Sequence, residues 1–139
     1  MNPLTKQVDQ ATLNDWGELS GDLNPLHVDP AYAAGTRYGG TILHGHLTIA
    51  WLSEWALREW GAAWLTHGSL ADLRFRAPLR PGVEYVVSGE PVESGGAESG
   101  ARGARGDVRD GDVRLAVLLP DGSAGVTATA RLARPERAR

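Results

Sequence analysis

Residues 44–64 read HGHLTIAWLSEWALREWGAAW, and this stretch decides the fold. Leu47, Trp51 and Trp55 recur at intervals of four, and Ile49, Leu52 and Ala56 fill the neighbouring stripe at intervals of three and four. Residues so spaced share a helical face. The two stripes predict a helix from His44 or Gly45 to about Trp64 that is apolar over most of its girth. Such a helix has to be wrapped on several sides. Gly61 is the weak point of its last turn.

Downstream, everything reads as strands. Leu70 to Arg76 alternates apolar and polar residues, Pro78 and Pro81-Gly82 make a turn, and Val83 to Val92 is a second strand. Residues 93–111 are rich in Gly, Ala, Ser and Arg without periodicity and predict a long flexible connection. Asp112 to Leu119, the turn Pro120-Asp121-Gly122, and Val126 to Leu132 complete an antiparallel pair. Upstream, Leu4 to Val8 is a short first strand. Thr12 with Asp15 forms a helix-starting box, and the helix runs through Trp16 and Leu19 to Gly21. Asp29 caps a turn or two of helix, with Pro30 at its first position and Gly35 as a left-handed stop. One apolar helix followed by about four antiparallel strands predicts an α+β domain, a sheet curled around that helix, over residues 1–139.

Composition narrows the function. A chain of 139 residues with a net charge of −3 and no basic face in its first hundred positions argues against nucleic-acid binding. Arginines gather after Arg102, ending in Arg131, Arg134, Arg137 and Arg139, and read as a solvated tail in preference to an anion contact. The absence of cysteine excludes disulfides, thiolate catalysis and cysteine-ligated zinc. The polar Met1 to Gln10 stretch carries no secretory signal, and no run approaches the ~18 apolar residues of a membrane span. The expectation is a cytoplasmic protein without a membrane contact.

Chemistry concentrates in Ser20 to Gly45. Asp22 and His27 stand five apart in a segment that Pro25 is expected to force out of regular helix. A carboxylate and a neutral imidazole gripping one water can move protons both ways, as adding H and OH across a C=C bond requires. Equally, such pairs serve as turn formers and surface groups. His44-Gly45-His46 opens the apolar helix, where backbone amides carry partial positive charge and can meet a developing oxyanion. Gly45 there either admits a ligand carbonyl to the backbone or merely permits a tight turn.

The run Trp16-Gly17-Glu18-Leu19-Ser20-Gly21-Asp22-Leu23-Asn24-Pro25-Leu26-His27, continued by Asp29 to Gly40, His44-Gly45 and Leu73 to Gly82, resembles the MaoC-like dehydratases and (R)-specific enoyl-CoA hydratases from Thr12 to about Glu90. The resemblance implies a hot-dog fold and a lyase of fatty-acyl metabolism. It implies that Asp22 and His27 activate water, that the Gly45 amide binds the thioester carbonyl, that Ser53 stands near that site, and that Asn24 and His44 support it. It also implies a homodimer, an acyl-CoA or acyl carrier protein substrate, and no cofactor or metal beyond the coenzyme A of the substrate. Two positions depart from the pattern: Trp16 replaces Tyr or Phe, and His46 replaces Met. Trp51, Trp55, Trp60 and Trp64 are read as core before acyl platform, and His46 as a satisfied polar residue before a pocket group.

Three rivals stand beside this. A metal bound by Asp22, His27, His44 and His46 is disfavoured because a His-x-His pair at a helix start splays its side chains. A hot-dog thioesterase would use Glu54, which reads more simply as the partner of Arg58 four residues on. A non-catalytic acyl-thioester-binding subunit would not need the intact Asp, Asn and His set.

Overall fold

The computed structural model describes residues 1–93 and 111–133. In chain order its elements are β1 (Leu4–Lys6), α1 (Gln10–Ser20), α2 (Pro25–Val28), α3 (Pro30–Ala34), α4 (Gly45–Trp60), α5 (Ala62–His67), β2 (Gly68–Phe75), β3 (Tyr85–Pro91), β4 (Val113–Leu118) and β5 (Ala124–Leu132). The five strands form one antiparallel sheet in the order β1-β3-β4-β5-β2. Helix α4 lies across β3 and β4, the middle of the sheet, and α5 packs on β2 and β5. This is the helix-in-sheet arrangement that the apolar girth of α4 demands. Almost all of the expected flexible connection, and the last arginines, lie outside the described residues. Within them, no helix is long and apolar enough to cross a membrane.

The predicted stripes on α4 carry the core. Leu47, Trp51, Leu52, Trp55 and Ala56 are buried, facing Tyr85, Val87, Leu115, Val117 and Val126 from the sheet. Burying each large apolar side chain stabilises the fold by roughly 1.5–3 kcal/mol. Trp51, Trp55 and Trp64 are therefore core, as expected. Gly61, at φ 59° and ψ −147°, ends α4, and the chain restarts as α5, so the single helix predicted to Trp64 is two helices.

Several local expectations are corrected. Helix α1 begins at Gln10, capped by Asp9, whose carboxylate accepts from the Thr12 amide and hydroxyl at 2.8 Å; the box with Asp15 does not form. Pro25 starts a helix instead of preventing one. It sits at the first position of α2, where its missing N–H is one of the unpaired donors anyway. Gly35 follows α3 at φ −82°, so it is no left-handed stop. Strand β2 bulges between Ala71 and Arg74, with Asp72 at φ 51°, which bends the edge of the sheet. Arg131 is not part of a solvated tail: it pairs with the buried Asp112 at 3.0 Å.

Candidate active site

The segment between α1 and α2 is built from short-range hydrogen bonds. Gly21, at φ 79°, ends α1 in the left-handed conformation. The Asp22 carboxylate accepts from the Asn24 amide at 3.2 Å, and the Asn24 side chain accepts from the Leu26 amide at 3.0 Å, capping α2. Gly17 lets α1 close on this turn, since a Cβ there would stand 3.0 Å from the Asp22 carbonyl oxygen and 3.1 Å from Val28. Asn24 thus orients Asp22 through its backbone and α2 through its side chain. Gln10 ties the assembly together: it donates to the His27 carbonyl at 2.8 Å and accepts from the buried Thr41 hydroxyl at 2.6 Å.

Hydrogen-bond direction assigns the imidazole protons. His27 Nδ1 lies 2.8 Å from the Ile42 carbonyl oxygen, which can only accept, so Nδ1 carries a proton, and in the neutral ring the lone pair is on Nε2. By the same reasoning His44 Nε2–H donates to the Asp22 carbonyl oxygen at 3.0 Å. His46 Nδ1 accepts from the Trp16 indole N–H at 2.8 Å, leaving its Nε2–H to face the Asp22 carboxylate at 3.2 Å. The His27 and His44 rings stack with centroids 4.2 Å apart.

An atom each of the Asp22 carboxylate, the His27 ring and the His44 ring lie within 4.8 Å of one another. These three side chains could hold a metal ion, and since His44 Nε2 is hydrogen-bonded to a carbonyl, the lone pair His44 has to offer is on the buried Nδ1. A separation of at most 4.8 Å between Asp22 and His27 is within the reach of one water making two hydrogen bonds of about 2.8 Å.

The Asp22 carboxyl is held below its ordinary range, first by the hydrogen bond from His46, against the opposing effect of burial, and then by the Asn24 amide and the nearby imidazoles. Burial pushes His44 down from 6.5, despite the Asp22 carbonyl. Below about pH 6.5 the unfolded chain therefore binds a proton that the folded chain refuses. This contribution to stability is full above that pH and is lost as the pH falls toward the lower folded value. Urea midpoints should accordingly drop between pH 7.5 and 5.5, and the drop should shrink in His44→Gln. An equal drop in the variant would contradict it.

A cavity of about 330 Å³ opens beside this cluster, lined among others by His27, Tyr38, Ile42, Gly45, Thr48 and Phe75. His44 caps α4 without a side-chain hydrogen bond, and the first amides of a helix have no acceptor within it. Gly45 stands against Phe75, whose ring would be 3.0 Å from an added Cβ. The Arg80 guanidinium pins the far wall by donating to the carbonyls of Tyr38 and Gly40.

Of the predicted site residues, His27 and Gly45 line this cavity. Asp22 and His44 stand beside His27 in the adjoining cluster, where Asn24 holds the turn. Ser53 is eight residues past Gly45, about 12 Å along the helix axis, and it does not line the cavity. Thr48 does, and its hydroxyl donates to the Gly45 carbonyl at 2.6 Å. Glu54 is also elsewhere. It binds both Lys6 and Arg58, the latter at 2.9 Å, and these cations hold its carboxyl low, Lys6 foremost. Sequence reasoning missed Gln10, Thr48 and Arg80. Thr48 alone had a local signal, one helical turn after Gly45.

A sequence model of the MaoC-like domain matches residues 2–110. The 3-hydroxybutyryl-CoA dehydratase of Methylorubrum extorquens is 33% identical over 93 residues, 65% of this chain and 57% of that one. The (R)-specific enoyl-CoA hydratase of Aeromonas caviae is 42% identical over 50 residues, 36% of this chain and 37% of that one. The matches span between 9% and 57% of the curated relatives' length. The solved (R)-hydratase from A. caviae, described as involved in PHA biosynthesis, superposes with a TM-score of 0.67 at 26% identity, covering 95% of this chain and 93% of that one.

Proposed function

The chain belongs to the MaoC-like domain family, and from that premise we propose that it interconverts trans-2-enoyl thioesters and (R)-3-hydroxyacyl thioesters. One observation supports the reading: a ring nitrogen of His27 lies within 4.8 Å of the Asp22 carboxylate, and His27 and the Gly45 at the start of α4 line the same cavity. In the hydration direction, the water bridges the Asp22 carboxylate and the His27 Nε2 lone pair. His27 takes a proton as the water oxygen bonds to C3. The C=C electron pair moves onto the thioester oxygen, where the Gly45 N–H meets it. The enolate then collapses and C2 takes back a proton on the same face, so that H and OH have been added and the site is restored. Asp22 and His27 share the acid–base work, and dehydration is the reverse.

The thioester itself acidifies C2, so the proposed reaction needs no metal. Asn24 holds the turn, and His44 fixes it through the Asp22 carbonyl. The carrier is coenzyme A or an acyl carrier protein. In this reading the chain works as a homodimer, in which a partner would cover the exposed Phe75 at the end of edge strand β2. The deciding measurement is hydration of crotonyl-CoA and longer enoyl-CoAs by the whole chain, followed by loss of enoyl absorbance. Turnover that persists in a chelator and gives the (R) product is expected. Thioester cleavage without hydration would overturn the reading in favour of a thioesterase, and binding without any turnover in favour of a non-catalytic subunit.

A further inference from the structure

The two residues that depart from the family pattern meet in space. Trp16 stands on α1 and His46 on the first turn of α4, and their rings stack with centroids 5.7 Å apart. The indole N–H donates to His46 Nδ1 at 2.8 Å, and His46 Nε2 lies 3.2 Å from Asp22 Oδ2. An indole N–H can only donate, so it is compatible with only one neutral form of His46, the one with its proton on Nε2. That proton faces the carboxylate. Its other oxygen is already held by the Asn24 amide. Both oxygens of Asp22 are thus addressed by donors from different elements.

We propose that Trp16 and His46 are positioning residues for the reaction: the indole locks the imidazole in its Nε2–H form, and the imidazole aims the ionised Asp22 at the water shared with His27. The proposal rests on the hydratase reading for its catalytic consequence, but not for its hydrogen-bond geometry. The titratable groups facing His46 are Asp22, from the turn before α2, and His44, the cap of its own helix, with ring centroids 5.2 Å apart. Trp16 does not titrate. The hydrogen bond from His46 is the leading cause of the low Asp22 carboxyl, which agrees with this role.

The test compares His46→Leu, His46→Gln and Trp16→Phe in the whole chain. The His46 side chain is 41% exposed, so a leucine of similar bulk is tolerated. The first readout is the Asp22 carboxyl carbon followed by NMR across pH. The second is the pH profile of kcat/KM for crotonyl-CoA hydration. In His46→Leu the Asp22 midpoint should move to higher pH. There kcat/KM should fall on the order of tenfold, mostly in kcat, the low end for losing a hydrogen bond to a charged group. His46→Gln can accept from Trp16 and donate to Asp22 and should restore both. In Trp16→Phe the ring nitrogen shifts of His46 should show that Nδ1 no longer accepts a hydrogen bond. An Asp22 midpoint unmoved in His46→Leu, or leucine and glutamine variants that behave alike, would overturn the proposal. A midpoint that moves in a protein hydrating no enoyl-CoA would uphold the hydrogen-bond device and defeat the hydratase reading instead.

Discussion

Asp22→Asn is expected to lower turnover of an enoyl-CoA at least ~100-fold while leaving the thermal transition nearly in place, the low end of what acid–base catalysis contributes. The substitution keeps the shape of the side chain and an oxygen for the Asn24 amide. It removes the negative charge that the bridging water and the developing positive imidazole both need. His27→Gln should do as much, because a glutamine amide offers no basic lone pair where Nε2 now stands. If the two groups act on one water, Asp22→Asn with His27→Gln should be little worse than either alone, since residues that work as a unit are not additive. The check is steady-state kinetics with circular dichroism on each variant. A folded Asp22→Asn protein within threefold of the parent rate would remove Asp22 from the chemistry.

Why Asp22 and His27 were legible and their helpers were not has a physical answer. The pair stands in one tight turn, where Gly, Asp, Asn and Pro each leave a local mark, so the sequence shows the geometry almost directly. Helix α4 was legible for a similar reason: its period survives whatever packs around it. Trp16 and His46 are thirty residues apart, and no local pattern says that an indole will reach an imidazole. Ser53 is not in the cavity lining, whereas Thr48, one turn after Gly45, is, and only the packed structure distinguishes the two. Pro25 was read as a breaker because the same ring that ruins a helix interior suits its first position. The bulge at Asp72 reflects how β2 must bend along β5, and alternation in β2 alone does not contain that.

At Gly89 the same limit has a large structural effect. Alternation along β3 puts Tyr85, Val87 and Gly89 on the face toward α4, and the first two are buried in the core. At Gly89 the Trp55 ring occupies the space a side chain would take. A Cβ would fall 2.3 Å from two of its ring carbons and 2.9 Å from a third. Trp55 is 2% exposed and hemmed in, so the ring cannot swing away. Gly89→Ala is therefore expected to destabilise the fold by about 1–3 kcal/mol or more, the range for overpacking a filled core. That runs against the usual gain from replacing a glycine in a strand. Urea unfolding of Gly89→Ala, Trp55→Leu and the double variant separates the causes. If the clash is with the ring, alanine should cost little once Trp55 is leucine, and the two changes should couple strongly. An alanine variant as stable as the parent would mean that the sheet and α4 stand farther apart at this point than the packing requires. The cavity wall would then also be free to shift, since Gly45 and Thr48 ride on the same helix that Trp55 anchors.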